Sequence, residues 1–345
     1  MNEIILWILS FVSLFVSLFW LQVLYLKKKE EIGMKIYPSV SILIPAHNEE
    51  KTISKTIESV LNLNYPKNKL KIIVINDGSI DNTEKVSKKF KNILVVNNKH
   101  KGLGKASALN KGLQYVDTEL FAVLDADSEV DKDSLKKLVI LFQEKNTAAA
   151  ISRIKVKNAH NTLTHIQRIE YILATFIRKL MSKIDTLHIT PGVLSVYKTD
   201  IVKKLKNFDE NNITEDLEIA MRLRYNNYNV KMNDDALTYT NVPSTFKTLW
   251  DQRIRWFRGF IQNNLKYKKM FMSKKHGLMG RLQLPLNAIT FITILLTFFL
   301  IAYQLFYYLY QFLSKIFLLK SDIYYTFKIP TVKEILFSLN INYLF

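Results

Sequence analysis

The sequence predicts an α/β domain with a mostly parallel sheet, flanked by transmembrane and interfacial helices. Three observations predict it. Short β-branched runs alternate with helical stretches across residues 37–241, nearly uncharged apolar runs occupy residues 4–26 and 282–314, and acidic turns close successive strands. The 345 residues carry 49 Lys plus Arg against 30 Asp plus Glu, a formal net charge of +19. So large a basic excess invites nucleic acid, an anionic membrane surface or a phosphate-bearing substrate as partner, and its placement decides among them. No cysteine is present, which excludes disulfides, thiolate zinc sites and cysteine nucleophiles. The six histidines lack metal-ligand spacing, so a histidine-built zinc site is not expected.

Residues 4–26 are long enough at 1.5 Å per residue to cross a ~30 Å hydrocarbon core and read as a spanning helix. The start Met1-Asn2-Glu3 is not basic and no A-x-A follows the run, so a retained helix is expected over a cleaved leader. Lys27, Lys28, Lys29 and Lys35 come next, which by the positive-inside rule puts the following domain in the cytoplasm. In the α/β region, residues 40–44 read as a strand stopped by Pro45, 49–63 as a helix, 71–75 as a strand and 81–90 as a helix. A strand at 93–96, a helix at 105–115 and an apolar strand at 120–124 follow.

Polar residues gather where these strands end, and in parallel sheets that is where ligands bind. The first strand runs into Pro45-Ala46-His47-Asn48-Glu49, the second into Asn76-Asp77-Gly78-Ser79, and the last into Asp125-Ala126-Asp127. Asn-Asp-Gly-Ser alone is equally ordinary turn and cap chemistry. The Asp125-x-Asp127 pair is harder to read as capping, because two carboxylates after an apolar strand repel unless a cation lies between them, and hard oxygens suit Mg²⁺ or Mn²⁺ on a diphosphate. The Gly102-Leu103-Gly104-Lys105 stretch is not a Walker A loop, since Lys99 and Ala106 stand where Gly and Ser or Thr are needed, and Ser107 breaks a G-x-G-x-x-G pattern.

Residues 161–184 form an amphipathic, basic helix that packs on the domain or lies on a membrane surface. Thr214-Glu215-Asp216 precedes apolar residues at helical spacing, as a helix cap or as the site of a general base. Across 246–270, Lys247, Arg253, Arg255, Arg258 and Lys266 interleave with Phe246, Trp250, Trp256, Phe257 and Phe260, an interfacial composition beside the second apolar run. With the basic residues beside the apolar runs, no nucleic-acid partner is expected. The second run reads as one tilted or kinked helix, and 335–345 as at most a partial membrane segment. The expected organisation is therefore an N-terminal transmembrane helix (1–30), an α/β domain (37–241), an amphipathic interfacial segment (242–281) and a C-terminal membrane region (282–345).

Taken in order, the strand-end motifs resemble the membrane-bound glycosyltransferase family 2 enzymes of GT-A fold, which include cellulose, chitin, hyaluronan and poly-N-acetylglucosamine synthases. The resemblance also rests on Lys105-Ala106-Ser107-Ala108-Leu109-Asn110, Gln167-Arg168-Ile169-Glu170-Tyr171, Thr214-Glu215-Asp216 and Gln252-Arg253-Ile254-Arg255-Trp256, the last matching the family's Q-x-x-R-W signature. It implies an inverting, metal-dependent transfer from a UDP-sugar to a glycan acceptor, or a single transfer to a membrane lipid. Glu49, Asp77, Lys105 and Asp125 would bind the nucleotide-sugar, and Asp127 would bind Mg²⁺ or Mn²⁺. Asp216 would be the base, and Glu215, Gln252, Arg255 and Trp256 would meet acceptor and diphosphate. It also implies a multi-pass protein of the cell membrane with its catalytic domain cytoplasmic. Large synthases have more spanning helices, so a polymer channel here would need a homo-oligomer or a partner.

Overall fold

The structure is a computed structural model and describes residues 2–26, 36–98 and 104–318. The segment Lys27–Lys35, Gly102 and the 335–345 run lie outside the described residues. Two compact units divide the chain, Met1–Leu286 and Asn287–Phe345.

The first unit opens with α1 (Asn2–Leu24), followed by β1 (Val40–Ala46), α2 (Ile53–Leu61), β2 (Leu70–Asn76), α3 (Thr83–Ser87), β3 (Leu94–Asn97), α4 (Lys105–Leu113) and β4 (Leu120–Leu124). Then come β5 (Glu129–Val130), α5 (Ser134–Val139), β6 (Thr147–Val156), α6 (Thr162–Lys183), β7 (Val193–Lys198), α7 (Thr199–Lys204), α8 (Glu215–Tyr225), β8 (Asn229–Thr240) and α9 (Phe246–Lys266). The eight strands form one sheet in the order β3-β2-β1-β4-β7-β6-β8-β5. Four of its seven pairings are parallel, and only β7 and β5 run against the rest.

Alternation along the strands explains why helices cover both faces. Leu43, Ile73, Ile75, Phe121 and Val123 point to one side, into a core shared with Leu109, Ile201 and Ile219 of α4, α7 and α8. Ile42, Ile44, Ile72, Val74 and Leu124 point to the other, against Ile57 of α2 and Leu138 of α5. Chain order reverses at β1, which pairs with β2 on one side and β4 on the other, and an α/β sheet opens a crevice beyond the strand ends at such a point.

Several sequence expectations need adjustment. β1 does not stop at Pro45 but pairs through Ala46 with Asn76; pairing with β4 has already ended at Leu43, so the missing proline N–H removes no rung on that side. The helix expected at 81–90 is only α3, because Asn82 and Asp81 are tied into the neighbouring turn through Glu50. The helix expected at 49–63 starts at Ile53, and Glu49 stays in the turn that precedes it.

Both apolar runs are helical. α1 and α10 (Leu284–Leu318), entered through a π-helical turn Met279–Gln283, are each long and apolar enough to cross a membrane. Within the first unit, Lys183 at the end of α6 donates to the Leu24 and Leu26 carbonyls, each at 2.8 Å, capping the end of α1.

Candidate active site

A cavity of about 990 Å³ opens at the carboxyl edge of the sheet, at the β1/β4 reversal. All ten residues singled out from the sequence line it: Glu49, Asp77, Lys105, Asp125, Asp127, Glu215, Asp216, Gln252, Arg255 and Trp256.

The β1 and β2 turns are built together. Asn48 adopts a left-handed backbone (φ 57°), its N–H donates to Ser79 Oγ and its Oδ1 accepts from Ile80 N. That cross-link sets Glu49, whose N–H donates to Thr83 Oγ1 at 2.7 Å and whose carboxylate accepts from Thr52 Oγ1 at 2.5 Å. Asp77 is buried, with Oδ1 accepting from Asn98 Nδ2 at 2.9 Å. Turn and cap hydrogen bonds and two cavity-lining carboxylates, Glu49 and Asp77, thus share one turn pair.

Across the reversal, Asp125 is brought to Lys105 by a β-bulge. The register between β4 and β7 shifts at Val123/Leu124, where Leu194 takes a left-handed backbone (φ 58°), and Asp125 N–H then donates to the Gly192 carbonyl at 2.9 Å. A Cβ on Gly192 would lie 2.1 Å from Lys105 Nζ and 2.6 Å from Asp125 Oδ1, so a side chain there would push the pair out of its present placement. Lys105 heads α4 behind Gly104 (φ 94°), and its Nζ stands 2.5 Å from Asp125 Oδ1 and 3.2 Å from Glu215 Oε1. Burial disfavours its charge, but Asp125, Glu215 and Asp216 outweigh burial and raise its pKa, keeping it protonated.

Two carboxylates are held poised. Burial, with Asp125 and Glu49 close by, pushes Asp127 up to about 6, partly offset by its hydrogen bond from Ser128 Oγ. Burial and the adjacent Glu215 push Asp216 up to about 6, against the lowering effect of Lys105 and the Leu217 N–H. Asp216 is seated from its backbone, its carbonyl accepting from Thr190 Oγ1 at 2.7 Å.

The far wall belongs to α9. Gln252, which lines the cavity, carries a buried Oε1 without a hydrogen-bond partner among the described residues, an acceptor that usually costs about 1–3 kcal/mol to leave unmet and that could accept from a ligand. α9 is fastened to the start of α8. Asn263 is fully buried, exchanges amide hydrogen bonds with Asn212 at 3.0 and 3.1 Å, and donates to Thr214 Oγ1 at 3.1 Å. Gly259 packs so closely that a Cβ there would lie 2.2 Å from Thr214 Oγ1.

Sequence reasoning did not assign Arg178 or His188, which also line the cavity and whose pKa values burial lowers. Arg178 stood among the basic residues of a regular amphipathic helix, and nothing in its spacing separates it from Lys179 or Lys183. Arg253 was legible as part of the α9 motif, but its pairing with Glu170 was not.

Residues 41–206 match Glycosyl transferase family 2. The chain carries a glycosyl transferase family 2 domain. The domain's sequence relatives include "Probable glycosyltransferase YdaM" of Bacillus subtilis, 36% identical over 255 residues that make up 70% of this chain and 60% of that protein. A poly-beta-1,6-N-acetyl-D-glucosamine synthase of Staphylococcus epidermidis is 31% identical over 271 residues, 73% of this chain and 64% of that one. The chain thus spans 60% and 64% of the lengths of these two curated relatives. Among solved structures, a mannosyltransferase of Pyrobaculum calidifontis, determined with GDP-Man and Mn²⁺, superposes with a TM-score of 0.65 at 20% identity, covering 76% of this chain and 73% of its own. That likeness is one of fold, and it places the transferase domain in the GT-A fold expected from its strand-end motifs.

Proposed function

We propose that the chain is an inverting, metal-dependent glycosyltransferase that moves a sugar from a UDP-sugar to a glycan acceptor at the cytoplasmic face of a membrane. The observation that carries the reading is Lys105, which bridges Asp125 on the β4 turn and Glu215 beside Asp216 on α8, joining a nucleotide end and a base end in one cavity. The names of the relatives, a probable glycosyltransferase and a polysaccharide synthase, support the activity and the glycan product.

In this reading Glu49 and Asp77 hold uridine and ribose, Asp125 contacts the nucleotide and Lys105 faces the phosphates. Asp127 would hold Mg²⁺ or Mn²⁺. Its crowding by Asp125 and Glu49 fits a cation, and although no group of three or more potential ligands is arranged for a metal among the described residues, Mg²⁺ is commonly held by one or two carboxylates plus substrate phosphates. A bound cation supplies Lewis-acid stabilisation of the departing diphosphate. Arg255 adds a planar fork suited to phosphate oxygens. Gln252, Glu215 and Trp256 orient the acceptor so that its hydroxyl oxygen attacks the donor's anomeric carbon opposite the UDP oxygen. Asp216 takes the hydroxyl proton as the new C–O bond forms, the old one breaks, and UDP leaves with its electron pair. A carboxylate titrating near 6 is ionised at neutral pH yet basic enough for general-base catalysis.

α1 and α10 act as the membrane spans of a multi-pass protein. α6 and α9 lie at the interface, consistent with the exposure of Ile169, Ile172 and Leu173 on one and Phe246, Trp250 and Phe257 on the other. Single-sugar transfer to a membrane lipid, which needs no polymer channel, is the second reading; two helices among the described residues are suited to spanning. In the first reading a homo-oligomer would contribute spanning helices to a polymer channel. Mass spectrometry of products made from a panel of UDP-sugars with Mg²⁺ or Mn²⁺ and membrane lipids tests both readings. A ladder of oligomers supports the first and one sugar on a lipid the second; no UDP release from any donor sinks both.

A further inference from the structure

The motif Gln167-Arg168-Ile169-Glu170-Tyr171 on α6 has no role in the reaction above. Its first and fourth residues are three apart, so they share a helix face, and both reach toward α9. Buried Gln167 donates to the Pro243 carbonyl at 2.8 Å, in the link that leads into α9. Glu170 takes both arms of the Arg253 guanidinium, Nη1 to Oε1 and Nη2 to Oε2, each at 2.7 Å. The guanidinium carbon in turn lies 4.5 Å from the centre of the Trp256 ring. Glu170 and Trp256 both line the cavity.

A two-armed carboxylate contact fixes the plane of a guanidinium as well as its position. A guanidinium over an indole is attracted by the ring's electron-rich face and covers that face. Arg253 therefore occupies one side of Trp256 and restrains the ring about its side-chain torsions, leaving the other side to offer a flat apolar surface. Glu170 is about half exposed (49%), and partly exposed ion pairs contribute little to folding, so the fork matters more for orientation than for stability.

We propose that Glu170 is a positioning residue which, acting through Arg253, fixes the Trp256 indole as the floor on which the acceptor's sugar ring rests. The proposal relies on reading the cavity as a site of glycosyl transfer to a sugar acceptor. It assigns the α6 motif the task of holding α9 at the acceptor end, with Gln167 fastening the entry to α9 and Glu170 the turn that bears Trp256.

The test uses the full chain in lipid nanodiscs, labelled with 5-fluorotryptophan. Its four tryptophans give four fluorine lines, and Trp256→Phe identifies one of them. Glu170→Gln and Arg253→Lys are each expected to shift or split the Trp256 line while the Trp7 and Trp20 lines stay in place. With UDP-N-acetylglucosamine and a short β-1,6-linked N-acetylglucosamine oligomer, both variants should raise the acceptor KM about tenfold and leave donor hydrolysis without acceptor within about twofold of wild type. A Trp256 line unmoved in both variants overturns the proposal, as does donor hydrolysis that falls in step with transfer. A wild-type protein inert toward this pair counts against the sugar reading instead, and the fluorine line still decides whether Glu170 sets Trp256.

Discussion

Gly259→Ala separates catalytic geometry from folding. The added Cβ would stand 2.2 Å from Thr214 Oγ1, 2.4 Å from Cγ2 and 2.8 Å from Cβ, whereas ordinary contact begins at 3.4 Å, so relief requires a movement of about 1.2 Å. Rotating the threonine does not provide it, because Thr214 Cβ itself is too close. α9 must therefore move away from the start of α8, carrying Gln252, Arg255 and Trp256 away from Glu215 and Asp216. Overpacking costs roughly 1–3 kcal/mol, and replacing an interior helical glycine by alanine returns about 1 kcal/mol, so the net loss of stability is about 2 kcal/mol or less. A misplacement of about 1 Å at a reacting centre can cost about a hundredfold in rate. The assay is UDP release with acceptor, alongside thermal unfolding of the same preparation. The expected result is a fall in turnover near a hundredfold with a small change in Tm, and Thr214→Ser in the same chain should recover part of the loss by removing Cγ2. Turnover within threefold of wild type would refute the claim that this approach sets the site.

Three further outcomes follow from the same geometry. With Asp216 titrating near 6 and needed as its carboxylate, kcat/KM should fall as pH drops through about 6; a profile flat down to pH 5 removes it as the base. Lys105 lowers the pKa of Asp216, so Lys105→Met should move that acidic limb to higher pH as well as weaken nucleotide binding, and a limb that moves down or stays contradicts the electrostatic account. Because the chain has no cysteine, a single nitroxide at Ile172→Cys or Phe257→Cys labels one place. In liposomes both probes should be relaxed more by oxygen than by a water-soluble nickel complex, and the reverse order would place these helix faces in water.

Much of the transferase domain was legible because its signals are local. β-branched runs fix β1, β2 and β4, and the residues just past their ends could be expected to meet at one cavity, since a parallel sheet puts those ends on one edge. The less regular half was harder. β6 carries Ala148, Ala149 and Ala150 just after its first residue, with little strand preference among them, and β8 contains Asn233-Asp234-Asp235 at the point where its register with β6 shifts. Pro45 looked like a stop because a sequence does not say which side of a strand lacks a neighbour. The contacts that tie the site together were invisible for a different reason: Glu170 with Arg253 and Asn212 with Asn263 join residues 83 and 51 positions apart, and only the packing of α6, α8 and α9 reveals them.

The central claim is that Asp216 removes the acceptor's proton, and Asp216→Asn measured for donor binding and transfer on one preparation tests it most directly. The amide keeps the shape but cannot take the proton, and it removes a carboxylate that the fold holds at a raised pKa. That penalty is absent below the unfolded-state pKa and complete above about 6, so at pH 8 the variant should unfold at a higher temperature than wild type. The account predicts UDP-sugar affinity within a few-fold of wild type, together with transfer reduced about a hundredfold or more. Transfer within tenfold of wild type by a variant that still binds donor would contradict it.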